Sequence, residues 1–144
     1  MKKRQVVITG AGACGLMAAI MAARNGAAVT VLEQNEKPGK KICATGNGRC
    51  NFSNLARPDD AYRGEHPEFV EDALREFSVE NTIEFFKEIG IYPLNRNGYL
   101  YPRSNQAQSV VDVLCMEAAS LGVKIKTNEQ VTDCLLYTSP SPRD

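Results

Sequence analysis

The sequence has no charge of one sign to spare. Lysines and arginines number 17, aspartates and glutamates 17, the formal net charge is zero, and no run of like charges occurs. Nucleic acids and anionic membranes are recognised through clustered positive charge, so neither partner is expected. The basic Lys2-Lys3-Arg4 is too short an arm to change that. Long apolar runs are missing as well: the apolar segment after Arg4 is interrupted by glycines, so no secretory signal and no membrane span are expected, and the protein reads as soluble and cytoplasmic. Histidine occurs once, at His66 in a polar stretch, and the five cysteines show no paired spacing. No metal site, redox pair or disulfide framework is therefore expected, and the thiols read as reduced.

What the chain does have is Val6 to Ala19, VVITGAGACGLMAA. A β-branched run followed at once by G-x-G-x-x-G reads as a buried parallel strand, a tight turn and a helix whose first turn faces a phosphate. Gly10 permits the turn, Gly12 has no Cβ to hold a pyrophosphate off the backbone, and Gly15 lets the helix lie close on the strand. The helix start offers unpaired N–H groups around Ala13 and Cys14 to an anion. Cys14 reads either as a thiol of lowered pKa or simply as a small residue. Asn25-Gly26 stops the helix, and Ala28 to Leu32 is a second β-branched run closing on Glu33. A carboxylate at a strand end, about twenty residues past the glycines, accepts hydrogen bonds from adenosine ribose hydroxyls. A structural glycine turn beside a surface glutamate, and a methyltransferase-type loop, compete for the same residues.

Gln34 to Asn54 is polar, with Pro38-Gly39, Lys40-Lys41 and the run Thr45-Gly46-Asn47-Gly48-Arg49-Cys50-Asn51. Glycines permit close backbone approach, and Lys40, Lys41 and Arg49 can neutralise a phosphate. Such a loop is expected to stay out of the core; a surface loop of solvated charges is the alternative. Cys50 beside Arg49 reads as an ordinary thiol, with reaction at a cofactor or substrate the lesser alternative.

Leu55 to Leu121 reads as an insertion. Phe69, Val70, Ala73, Leu74 and Phe77 recur at helical spacing, and Ser78 caps a second helix with an apolar face of Val79, Ile83, Phe86 and Ile89. These aromatics are expected in the core. Asn97-Gly98 between extended runs predicts a hairpin with Tyr99 and Tyr101 on one face, expected to pack on a neighbouring helix, with substrate contact the alternative. A further helix starts at Ser104 or Asn105, carries its stripe on Ala107, Val110, Val111, Leu114, Ala118 and Leu121, and ends at Gly122 before a strand over Val123 to Thr127.

Four segments, GAGACGLMAA, LEQNEKPGKK, ATGNGRCNFSN and GYLYPRSNQAQSVVDVL, together resemble a bacterial family of FAD-binding, NAD(P)H-linked oxidoreductases. These are the aminoacetone-oxidase-like flavoproteins and relatives of reductases acting on bile-acid dehydro intermediates. The resemblance runs from Lys3 to about Asp133, and T-G-N-G-R-C-N is more specific than the glycine turn. It implies an α/β fold: a glutathione-reductase-like Rossmann FAD-binding domain with an incomplete parallel sheet, formed by 1–54 and 122–133, and a helical insertion with a hairpin, 55–121. It also implies FAD pyrophosphate on Gly10, Gly12, Ala13, Cys14 and Gly15, the ribose on Glu33, and Lys40, Lys41, Thr45, Gly46, Asn47, Gly48 and Arg49 around the cofactor. The backbone of Val131 would meet the adenine edge. NAD(P)H is the implied donor, with hydride passing through flavin to a small organic acceptor or oxygen. No catalytic acid or base is assigned. An NAD-binding dehydrogenase domain without flavin and a non-catalytic nucleotide-binding sensor are the rival functions.

From Cys134 the chain turns abruptly to CLLYTSPSPRD, which resembles one reading frame of a sequencing-library adapter. Residues 134–144 are therefore expected to be a non-native tail, and the chain to be the N-terminal part of a longer enzyme, inactive alone.

Overall fold

The two β-branched runs become β1 (Gln5–Thr9) and β2 (Ala28–Leu32), paired in parallel from Gln5 opposite Ala28 to Thr9 opposite Leu32. A computed structural model describes residues 3–55 and 61–134; of the expected tail 134–144, all but Cys134 lies outside the described residues. Parallel neighbours need a crossover, and α1 (Ala13–Arg24) supplies it. β6 (Lys124–Lys126) joins the far side of β2, with Thr30 opposite Lys124, which gives the order β1-β2-β6.

One core lies under this sheet. Leu16, Ala19 and Ile20 of α1 meet Val29 and Val31 of β2 and Val110, Val111, Leu114 and Ala118 of α5 (Ala107–Ser120). Each large aliphatic side chain buried this way contributes about 1.5–3 kcal/mol. Val7, on the opposite face of β1, is 65% exposed. Although α5 stands at the end of the expected insertion, it packs against α1 and α2 (Lys40–Ala44) in this core.

A second, antiparallel sheet has the order β3-β5-β4, from Ser53–Asn54, Tyr99–Pro102 and Pro93–Arg96 respectively. Its β4–β5 hairpin turns at Asn97 and Gly98, with φ of 53° and 90°, the left-handed pair that an Asn-Gly turn accommodates. Leu100 and Pro102 are buried, while Tyr99 and Tyr101 share the other face. α3 (Phe69–Glu76) and α4 (Val79–Glu88) follow the expected spacing. Ser78 Oγ accepts from Asn81 N at 3.2 Å and Asn81 Oδ1 accepts from Ser78 N at 3.0 Å, a capping box closed by asparagine. Arg24 of α1 reaches Glu117 at 2.6 Å and Glu88 at 3.1 Å, tying α4 and α5 to the parallel sheet's own helix.

Three expectations are corrected. The segment after Glu33 does not stay out of the core: it folds into α2, and Ile42 and Cys50 are buried. The polar composition hid Ile42, which α2 aims inward, and Cys50, which the following turn buries. The aromatics of α3 are not core, since that helix buries none of its residues and Phe69 is 78% exposed. Val70 and Leu74 of its stripe are only half-buried, and Leu74 lines an open groove of about 730 Å³ together with Ser53 of β3. The last helix starts at Ala107 rather than Ser104 or Asn105, because Asn105 takes φ of 58° and Gln106 is extended. Among the described residues no helix is long and apolar enough to cross a membrane.

Candidate functional site

At the C-terminal end of β1 the chain turns sharply. Gly10 takes φ of 88° and its N–H still reaches Leu32 O at 2.7 Å, so the turn begins while the β1–β2 ladder is intact. Gly12 caps α1 with no side-chain hydrogen bond and no acidic residue in the first turn. The helix start, with Ala13 and Cys14 exposed, leaves its first N–H donors and its positive dipole end at the surface. The glycines differ in role. A Cβ on Gly15 would overlap the carbonyl oxygen of Gly10, whereas one on Gly12 would meet nothing within 4 Å. Gly15 is needed for close packing, and the space before Gly12 is open.

Glu33 is buried at the end of β2, 6% exposed, with both oxygens engaged. Oε2 accepts from Ala11 N at 2.7 Å; Oε1 accepts from Asn35 N at 2.8 Å and Asn35 Nδ2 at 2.5 Å. The Asn35 N–H is the main cause of a pKa below the ordinary carboxylate range; burial opposes it, and Ala11, the Asn35 amide and the Lys40 charge add to it. The segment after β6 closes over the same point, where Glu33 O accepts from Glu129 N at 2.9 Å and Asn35 O from Asn128 N at 3.1 Å. Val131, two residues further on, is exposed and outside any strand.

Gly39 holds the next segment in place. Its N–H donates to Ala11 O at 2.8 Å, its φ is 73°, and a Cβ there would lie 2.5 Å from Val111 Cγ2. α2 then starts with Lys40, close enough to act on Glu33, and Lys41, which is exposed.

The run Thr45 to Cys50 is a compact turn. Gly46, Asn47, Gly48 and Cys50 all have positive φ, of 56°, 55°, 78° and 59°. Arg49 N and Nε both donate to Gly46 O at 3.2 Å. β5 is its floor: Phe52 N donates to Leu100 O at 3.0 Å, Asn51 Nδ2 to the same oxygen at 3.3 Å, and a Cβ on Gly46 would stand 3.1 Å from Tyr101 Cε1. The Arg49 and Arg96 guanidiniums lie 5.6 and 5.9 Å from the Tyr101 ring centre. Cys50 is buried, and burial pushes its thiol up; the nearby Cys43 adds to this and a hydrogen bond with Thr45 opposes it. Burial thus favours the neutral thiol over the thiolate.

The fold thus gathers Gly10, Gly12, Ala13, Cys14, Gly15, Glu33 and Lys40 at one end of the parallel sheet. Thr45 to Arg49 form a second group on β5. Asn35 and Ala11 were missed from the sequence, and Tyr101 was placed on the hairpin face but not beneath the 45–50 turn. Asn35 carries only the weak signal of an amide two residues after an acid, and Tyr101 the hairpin alternation. Chemically, the first group offers N–H donors to an anion beside a buried acceptor carboxylate.

The model of the HI0933-like protein Rossmann domain family matches residues 4–139. A 3-dehydro-bile acid delta(4,6)-reductase of Clostridium scindens is 49% identical over 129 residues, 88% of this chain and 32% of the relative. A ribosomal RNA dihydrouridine synthase of Escherichia coli is 33% identical over 132 residues, 91% of this chain and 33% of the relative. The chain spans about a third of the length of these curated relatives. Among solved structures, the 3-ketosteroid-delta4-(5alpha)-dehydrogenase of Rhodococcus jostii RHA1 shares the fold, with a TM-score of 0.62 at 18% identity over 89% of this chain and 38% of that one.

Proposed function

The chain belongs to the HI0933-like Rossmann-domain family, and on that footing we propose that it is the nucleotide-holding part of an FAD-dependent oxidoreductase. In this reading Gly10 to Gly15 take the pyrophosphate, Glu33 takes the adenosine ribose, and Val131 meets the adenine through its backbone. Lys40 and Lys41 add positive charge, and Thr45 to Arg49 stand at the flavin. NAD(P)H is the donor, a small organic molecule or oxygen the acceptor, and the setting is cytoplasmic. Bound flavin supplies the two-electron chemistry; the residues of this chain bind and orient it.

The observation that carries the reading is the latch between Glu33 and Ala11. A buried acceptor-only carboxylate, fixed at 2.7 Å on the glycine turn beside an open helix start, supports the reading of Glu33 as the ribose acceptor. The names of two relatives, a reductase and a dihydrouridine synthase, both describe addition of hydrogen to a double bond. The second name also favours an alternative, a flavoenzyme acting on ribosomal RNA. Zero net charge and the higher identity to the bile-acid enzyme favour the small-molecule acceptor.

Equilibrium dialysis of the chain against FAD and NAD at matched concentrations tests the cofactor. Preferential retention of FAD is the expected result, with weak affinity and no turnover by the 144-residue chain alone. Preference for NAD would replace the reading with a nicotinamide dehydrogenase domain.

A further inference from the structure

The antiparallel sheet has one face that its core does not use. β5 alternates, so Leu100 and Pro102 turn inward while Tyr99 and Tyr101 turn out. The β4–β5 register sets Arg96 opposite Tyr99 and Leu94 opposite Tyr101, which puts Arg96 on the outer face as well. Arg49 arrives over Tyr101 from the Thr45–Cys50 turn. Two guanidiniums therefore converge on one tyrosine ring, and neither has a carboxylate at ion-pair distance among the described residues. Beside them Tyr99 is 51% exposed, an aromatic surface open to a ligand.

We propose that this face, built by Arg49, Arg96, Tyr99 and Tyr101, receives the carboxylate end of an apolar organic acid, the substrate class of the enzyme. The proposal rests on the oxidoreductase reading, in which the same turn stands at the flavin. Arginine presents a planar fork that matches a carboxylate, and rings on one sheet face offer flat apolar contact to the body behind it. The pairing of unneutralised cations with an exposed aromatic surface selects an acid with an apolar body over a bare inorganic anion. A single pair of arginines in a chain of zero net charge is a footprint for one acidic group, not for a polyanion.

The test uses the whole 144-residue chain and follows the arginine Nε–H resonances by NMR during titration with cholate, cholate methyl ester, inorganic phosphate and a dodecamer of oligouridylate. Cholate is expected to shift the Arg49 and Arg96 signals. The ester and the Arg96→Gln variant are each expected to bind about tenfold more weakly or worse, the scale of a lost charge-assisted bond. Arg75→Gln, at an exposed arginine paired with Asp72, is expected to bind cholate like the wild type. Equal binding of cholate and its ester, or unchanged affinity in Arg96→Gln, overturns the proposal. So does phosphate binding as tightly as cholate, which marks a plain oxyanion site, or oligouridylate binding more tightly, which marks an RNA surface. The ester comparison needs no variant and survives any folding defect. FAD retention is read on the same wild-type sample: cholate bound without FAD contradicts the cofactor reading alone, and FAD bound without cholate contradicts this inference alone.

Discussion

Glu33 Oε2 accepts a hydrogen bond from the backbone N–H of Ala11, 22 residues earlier in the chain, at 2.7 Å. The bond joins the end of β2 to the turn after β1, so the ribose acceptor and the phosphate turn of the proposed site are one mechanical unit.

Glu33→Ala removes that acceptor and leaves the Ala11 N–H buried without a partner. FAD affinity is expected to fall by about 1.5–3 kcal/mol, measured by dialysis or calorimetry, and stability by about 1–3 kcal/mol. An unchanged dissociation constant would place the ribose elsewhere.

The same carboxylate gives a pH dependence. Its folded pKa lies below the unfolded one, so its stabilisation is complete above the unfolded value, near about 4.3, and is lost as pH falls through the lower folded value. Urea unfolding of wild type and Glu33→Gln should therefore show a gap at neutral pH that narrows with acid in that window. A gap that stays constant through the window would remove Glu33 as its source.

Gly12 and Gly15 separate binding from folding. Gly12→Val has open space and a negative φ, so the melting temperature should hold while nucleotide binding is lost. Gly15→Ala places a methyl group on the Gly10 carbonyl and should destabilise the fold by about 1–3 kcal/mol. Tight FAD binding by a folded Gly12→Val protein would make the turn purely structural.

Gly39→Ala combines a left-handed backbone with a methyl group driven into Val111. A loss of at least about 1 kcal/mol in chemical denaturation is expected. Wild-type stability would mean that the 39–44 segment is not clamped between the glycine turn and α5.

Signals confined to a few neighbouring residues were legible in the sequence. β2 runs from Ala28 to Leu32 as its β-branched pattern predicts, Asn97-Gly98 makes the hairpin turn, Ser78 caps α4, and Glu33 stands where the glycine spacing asks for an acid. What failed depends on partners distant in sequence. α2 forms in a polar stretch because Gly39 is pinned by Ala11 and fitted against Val111, and the 45–50 turn rests on Tyr101 of a later strand. Periodicity gave α3 an apolar stripe, but a stripe does not say whether anything covers it, and Phe69 is left exposed.

The central claim is that the turn after β1 and the end of β2 hold the nucleotide of FAD. Backbone amide NMR during FAD titration of the chain reads it directly, even at weak affinity. The account predicts the largest shifts at Gly12, Ala13, Cys14 and Gly15, with Ala11 and Asn35 moving as Glu33 engages the ribose. Shifts absent from these amides at saturating FAD, or confined to other segments, would contradict it.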